Sequence, residues 1–356
     1  MLDFFDNLCL VARQHGASDL FLLEGAVPQI RLGGELRIVG EAVVESADLL
    51  RFWVHCGGSD RIHDLDTSYV ASDQTRFRVN LFSSMGRRGA VLSHIRTEIP
   101  GIETLGVPVP LLTSWMGRRA GLVLVTGPTG SGKSTTLASS IDWLNQRSSR
   151  HIVTIEDPIE YLFTPRGCLF TQREVGTDTE SFSEGLRRAL RQSPDIIFVG
   201  EIRDFSTATT ALQAAETGHL VLATLHSVDV IETIERMLRL FPTAERDGAI
   251  HVLARQLIGV LSQRLLPSLQ GGQVLACEHF ENEAATRKWI LEGRIRELSD
   301  FMQRSDNPRN ADMLSSIVSL CRRGVIAEET GLQSVGSPQN FSRALRGISS
   351  GGLVAR

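Results

Sequence analysis

Over roughly the first hundred residues, apolar positions recur in short runs that alternate between helical spacing and a period of two. Leu2–Gln14 has helical spacing, and Asp19–Leu23 is an apolar strand. Gln29–Ile38 predicts a hairpin turning at Gly33 and Gly34. In Arg76–Phe82 polar and apolar residues alternate, so Phe77, Val79 and Leu81 face a core while Arg76, Arg78 and Asn80 face outward. A strand near Val91–Arg96 is expected to pair with it. Together these make residues 1–97 a small α+β domain. Segment 98–110, with Gly101, Gly106 and three prolines, reads as a linker.

From 111 to 267 the pattern becomes strand–helix alternation, which predicts a parallel sheet covered on both faces. Gly121–Val125, His151–Ile155, Asp195–Val199 and Leu220–Thr224 are short, almost continuous apolar runs, as strands buried on both sides require. A helix starts near Ser134, and another covers Ser181–Gln192 and is stopped by Pro194. Residues 268–346 read as a helical C-terminal region through Asn282–Glu292, Arg294–Gln303 and Ala311–Arg323. The Gly/Ser-rich residues 347–356 are expected to be disordered. No internal repeat is visible.

Composition narrows the classes. A chain of 356 residues holds two or three domains, and 42% hydrophobic content is ordinary for a globular protein. A net charge of −4 argues against wholesale binding to nucleic-acid backbone. The five scattered cysteines, with no C-x-x-C pair, suit reduced thiols rather than a disulfide framework or a zinc site. No apolar run is long enough for a membrane span, and the first residues lack the charged start of a signal peptide. The expected location is therefore cytoplasmic.

The cations carry the sharpest clue. Of 37 Lys plus Arg, only Lys133 and Lys288 are lysines. Lys133 lies in Gly127, Pro128, Thr129, Gly130, Ser131, Gly132, Lys133 and Ser134, with Thr135 following: the G-x-x-x-x-G-K-[ST] phosphate loop. A backbone wrapped around phosphates admits a slim ammonium and has little room for a planar guanidinium. The loop follows an apolar strand and opens a helix, the context that the motif requires. Lys133 is thus expected at the β/γ-phosphate oxygens and Ser134 at Mg²⁺.

In an open parallel sheet, ligands bind beyond the carboxyl ends of the strands. Glu156–Glu160, Gly200–Asp204 and Leu225-His226 follow three of the predicted strands. Acidic groups there can orient water and hold Mg²⁺, or can serve as helix caps and solvated charge. For Glu201, at the end of a hydrophobic strand, the functional reading leads. His219 and His226 bracket one strand seven residues apart, so they point to opposite faces. Arg78 and Arg96 read either as solvated strand positions or as arginine fingers.

Four boxes then stand in order: Gly127–Thr135, Thr154–Glu160, Phe198–Asp204 and Thr217–His226. They resemble the Walker A, Asp box, Walker B and His box of the secretion ATPase superfamily, and above all the type IV pilus retraction ATPases of the PilT/PilU group. Ala17–Leu20 and Arg76–Asn80 extend the likeness into the first domain. The resemblance implies an α/β fold: a RecA-like P-loop ATPase core, a PAS-like α+β N-terminal domain and a helical C-terminal tail. It implies a homohexamer that hydrolyses ATP with Mg²⁺ between subunits and powers pilus retraction or twitching motility. Glu160 would be the catalytic glutamate and Glu201 the Walker B acid acting on Mg²⁺, through water. His219 and His226 would belong to the His box, the latter sensing γ-phosphate, and Arg78 and Arg96 would act across the interface.

The implied partners are further copies of the chain, an inner-membrane platform protein at which it docks peripherally, and, as an option, a paralogous retraction ATPase. Nucleic acid is not among them. The family's Ala-Ile-Arg-Asn-Leu-Ile-Arg-Glu motif is degenerate here, as Ala285–Glu292 keeps only Ala285, Arg287, Ile290 and Glu292. An accessory PilU-like or related secretion-system ATPase therefore stays open. So do a nucleic-acid translocase and a nucleotide-binding subunit that does not hydrolyse.

Overall fold

The computed structural model describes residues 3–32, 34–59, 61–95, 98–304 and 307–347. They form two compact units. The first comprises Met1–Thr97 with Pro158–Leu162 and Gly176–Asp178; the second holds the remainder.

In the first unit, helix α1 (Asp3–Gln14) precedes strands β1 (Asp19–Leu23), β2 (Gln29–Leu32) and β3 (Glu35–Ile38). Helix α2 (Ser46–His55) precedes β4 (Asp64–Val70), β5 (Arg76–Ser84) and β6 (Arg87–His94). The sheet order is β3-β2-β1-β6-β5-β4, antiparallel throughout. Phe77, Val79 and Leu81 are buried with Leu20, Leu22, Phe52 and Trp53, so the alternation in β5 does set its two faces. The β2–β3 turn uses Gly34 at φ 93°, a conformation that glycine adopts without strain. Gly33 lies outside the described residues.

The second unit opens with a short 3₁₀ turn and helix α3 (Val109–Met116), then strand β7 (Gly121–Thr126) and helix α4 (Lys133–Asn145). Strands β8 (His151–Glu156) and β9 (Leu169–Glu174) follow, then α5 (Phe182–Ala189), β10 (Ile196–Val199), α6 (Phe205–Glu216) and β11 (Leu220–Leu225). Helices α7 (Val230–Arg239) and α8 (Thr243–Gln256) lead into the hairpin β12 (Leu257–Pro267) and β13 (Gln273–Glu281). Five further helices complete it: α9 (Ala284–Leu291), α10 (Arg296–Arg304), α11 (Met313–Arg322), α12 (Glu328–Ser334) and α13 (Pro338–Leu345).

The seven strands run in the order β13-β12-β7-β11-β10-β8-β9, all parallel except β13. Leu122 and Leu124 join the cluster built by α5–α8, while the intervening Val123 and Val125 are equally buried. Since successive strand residues point to opposite faces, the sheet is covered on both sides.

Several expectations shift. The helix expected over Ser181–Gln192 begins one residue later, because the Ser181 hydroxyl caps it by accepting from the Glu184 N–H at 3.2 Å. It ends at Ala189, before Pro194 can act. The expected linker is ordered: Ile102 and Val107 are buried and helix α3 already starts at Val109. Within the expected helical C-terminal region, Gln273–Glu281 is a strand that pairs along the whole of its length with β12. The boundary placed at 267 thus falls inside a hairpin. Most of β13 is buried, so it shows no alternation to mark it as a strand. The expected disordered tail, from 348 onward, lies outside the described residues. All five cysteines are free thiols. Burial pushes Cys9, Cys56 and Cys277 up to about 12, which keeps them protonated and unreactive.

The β12–β13 hairpin is fitted against α3 with no spare room. A Cβ added at Gly259 would lie 2.3 Å from Trp115 Cζ2 and 2.6 Å from the Phe280 carbonyl oxygen. Gly259→Ala is therefore expected to destabilise the second unit by about 1–3 kcal/mol. A lowered midpoint in urea unfolding, with the slope unchanged, checks this.

Candidate active site

The loop between β7 and α4 is shaped by what it must pass. Gly127 takes φ 142°, and a Cβ there would come 2.4 Å from the carbonyl oxygen of Gln263 on β12 and 2.5 Å from Ser131 Oγ. Only glycine fits. Gly130 and Gly132 also have positive φ, at 78° and 86°, but a Cβ on either would meet nothing within 4 Å. The loop is thus wedged at its entry and open along its outer side, as a cradle for a phosphate requires. Lys133 Nζ donates to the carbonyls of Gly127 (2.9 Å) and Pro128 (3.0 Å), holding the ammonium at the loop. Behind it, Gln263 Nε2 donates to Thr136 Oγ1 at 2.7 Å and fixes the first turn of α4.

Parallel pairing brings the carboxyl ends of β11, β10 and β8 alongside. Glu201, only 11% exposed in its side chain, accepts from Arg203 Nε at 2.6 Å, and its other oxygen lies 3.3 Å from His226 Nε2. Arg203 Nη1 also lies 3.6 Å from Asp157, and its guanidinium sits over the Phe182 ring. Thr224 Oγ1 donates to the Gly200 carbonyl, and the Ile202 N–H donates to that of Thr224 at 3.0 Å. Gly200 N–H donates to Ile155 at 2.7 Å. The Glu201 segment is therefore pinned to both flanking strands. Arg236 Nη1 reaches the His226 carbonyl at 2.6 Å and fixes the other side.

The remaining acidic residues divide. Asp204 is a helix cap, accepting from the Thr207 N–H at 2.8 Å, so there the bland reading holds. Glu156 is buried and Asp157 pairs with Arg203. Glu160 is exposed and falls in Pro158–Leu162, which belongs to the first unit. Arg78 is also in that unit, half-exposed and 3.8 Å from Asp66. Arg96 lies outside the described residues. His219 stands at the opposite end of β11 from His226, its Nδ1 3.1 Å from the Ala214 carbonyl. Seven residues of strand separate the two by roughly 23 Å, so within one chain His219 is not beside the phosphate loop.

A family described as "Type II/IV secretion system protein" matches residues 70–312. The type IV pilus retraction ATPase PilT of Pseudomonas aeruginosa is 39% identical over 352 residues, covering 96% of this chain and all of PilT. The chain belongs to this family. It is a secretion ATPase of the PilT/PilU type. The type IV pilus ATPase PilU of the same organism is 35% identical, covering 95% of this chain and 90% of its own length. A crystal structure of the pilus retraction motor PilT with bound ADP superposes with a TM-score of 0.86 at 39% identity, covering 95% and 98% of the two chains. The expected α/β architecture, with an N-terminal sheet domain and C-terminal helices, is that of this ATPase group.

Two residues packed beside the loop and Glu201 carry no role in the sequence reading. Arg203 sits inside a box read for its carboxylates, and only the geometry reveals that it joins Glu201 to Asp157. Gln263 stands between Ser262 and Arg264, a polar stretch that gives no local sign of a buried strand, and only the structure shows it fully buried against Thr136.

The wedge at Gly127 predicts an asymmetry among the loop glycines. Gly127→Ala is expected to weaken ADP binding at least tenfold, about 1.4 kcal/mol. Gly130→Ala, carrying only the cost of a positive φ, loses less. Calorimetric titration of both variants checks the order.

Proposed function

We propose that this secretion ATPase is a hexameric, Mg²⁺-dependent motor that hydrolyses ATP to power type IV pilus retraction or twitching motility. It works in the cytoplasm against an inner-membrane platform protein. The observation that supports this best is the arrangement in the second unit. One end of a parallel sheet presents a glycine-cradled lysine, a buried carboxylate and a histidine, in a chain aligned end to end with PilT.

In this reading the loop amides and the N-terminus of α4 hold the phosphates, and Lys133 exchanges its carbonyl partners for phosphate oxygens. Ser134 and Glu201 offer hard oxygen donors that suit Mg²⁺, an ion content with one or two protein ligands when phosphate and water complete its shell. Bound there, Mg²⁺ would neutralise charge on the phosphates. Glu160 would orient the attacking water, and His226, already held by Glu201, would sense the γ-phosphate. Arg78 and Arg96 would serve a neighbouring subunit's nucleotide, which gives the hexamer a chemical purpose; His219 would act in the same interfacial manner.

A second reading, an accessory PilU-like motor, draws on α9. Of the degenerate motif, Thr286 and Ile290 are buried, while Ala285, Arg287, Lys288 and Glu292 are exposed. Thr286 replaces an apolar family residue yet earns its buried place: its hydroxyl donates to Asn282 and takes part in the capping box with Glu283. The helix is kept while its surface chemistry differs, and a surface is where a partner is chosen.

Glu160→Gln is expected to bind ATP but lose at least tenfold in kcat, about 1.4 kcal/mol, with particle mass in the same samples remaining that of a hexamer. Wild type that assembles and binds ATP without turnover would instead mark a subunit dependent on a partner motor.

A further inference from the structure

Glu278 lies on β13, two strands away from β7, and is 8% exposed. Its Oε1 accepts the N–H of Val230, the first residue of α7, at 2.7 Å. Its Oε2 accepts the N–H of Met313, the first residue of α11, at 3.2 Å. One buried carboxylate therefore ties together the starts of two helices. Helix α7 leads back to the site. Thr233 Oγ1 lies 2.6 Å from the Asp229 carbonyl, 2.8 Å from Ser227 Oγ and 3.2 Å from Thr126 Oγ1. Its one proton is shared between the Asp229 carbonyl and Thr126 Oγ1, and a lone pair is left to accept from Ser227. Ser227 follows His226, and Thr126 precedes Gly127. All three hydroxyl residues are buried. Helix α11 leads the other way, into the cluster that unites Ile317 and Val318 with Leu266 of β12, Ala276 of β13 and Phe341 of α13.

We propose that Glu278 is a positioning residue for the nucleotide site. Through α7 it sets where Thr126 and His226 stand beside the phosphate loop, and through α11 it couples that placement to the C-terminal helices. The proposal rests on the ATPase reading above. Its physical basis is a continuous run of buried and half-buried hydrogen bonds from the loop entry to α11, in which a broken bond leaves a largely desolvated polar group unpaired.

The charged state matters. Both partners of Glu278 are N–H donors, which only the ionised carboxylate can satisfy on both oxygens; a protonated carboxyl turns a hydrogen toward one of them. The titratable groups facing it are Asp229 and Asp312, the caps of the two helices, and the neighbouring Cys277. Burial pushes the Glu278 carboxyl up to about 7 from its ordinary 4.5; the two aspartates add to this and the two N–H groups oppose it. Because the folded value is raised, the stability linked to this group is fully present below the ordinary value of 4.5 and is lost as pH rises through about 7. Positioning runs the other way: it is half formed at about 7, grows above and weakens below. A merely structural carboxylate would not set stability and turnover on opposite slopes.

The test uses the full-length protein. Between about pH 6 and about pH 8, wild-type kcat is expected to rise severalfold with little change in KM. Glu278→Gln should hold a low, flat kcat across the range, and Glu278→Asp should restore the pH dependence. In amide exchange, ADP should slow the start of α11 in wild type, but not in Thr233→Val that still binds ADP. The proposal is overturned if Glu278→Gln keeps both the wild-type rate and its pH limb, or if α11 protection survives Thr233→Val. Should Glu278→Gln fail to fold, the Thr233→Val exchange result decides alone. Wild type that binds no ADP would defeat the ATPase reading itself. Wild type that binds ADP while α11 is unaffected would defeat the relay only.

Discussion

The site depends on how closely the backbone passes itself at Gly127. The loop leaves β7 in contact with the Gln263 carbonyl, a distance that leaves no volume for even a methyl group. That contact ties the phosphate loop to β12, which spans the full height of the sheet and pairs with both β7 and β13. With the entry fixed from behind, the outer side of the loop stays open at Gly130 and Gly132, where an added Cβ would meet nothing within 4 Å. Preorganisation of this kind means that phosphate binding need not first order the loop, a cost that would otherwise come out of affinity.

The same economy of closeness explains the carboxylate. Glu201 is buried at a strand end, a place where an unpaired charge would be expensive. Arg203 and His226 remove that expense from opposite sides, and Gly200 lets the turn lie against Glu156 and Ile155. Arg203 remains more than half exposed, so its ion pairs are screened and can be exchanged at low cost.

What the sequence made legible follows from which signals are local. The phosphate loop, the four strands that surround it and the acidic strand ends each show in fewer than ten consecutive residues, and the structure places them together. Strands β9, β12 and β13 escaped because their identity depends on neighbours distant in sequence. β13 is buried along most of its length and lacks alternation, and β9 is partly exposed with polar residues on both faces. Residue positions at the site were legible only where one strand end delivers the group. Glu201 and His226 meet because β10 and β11 are parallel neighbours; His219, at the far end of the same strand, shares their sequence box without sharing their place. Arg203 was hidden because a basic residue among acidic ones reads as solvated charge until its partners are known.

Helix α9 shows why a degenerate motif need not mean a degenerate element. A helix of eight residues has little stability of its own and persists by packing. Its two buried positions, four apart, do that: Ile290 fills the core, and Thr286 satisfies its hydroxyl within the capping box and on Asn282. The exposed positions carry no such constraint, and the surface pair Lys288–Glu292, at 3.7 Å, contributes only a few tenths of a kcal/mol. Substitution there changes what the helix presents without changing whether it forms. The entry of the phosphate loop at Gly127 has no room for a methyl group, whereas the packing of α9 places no such constraint on the residues of its outer face.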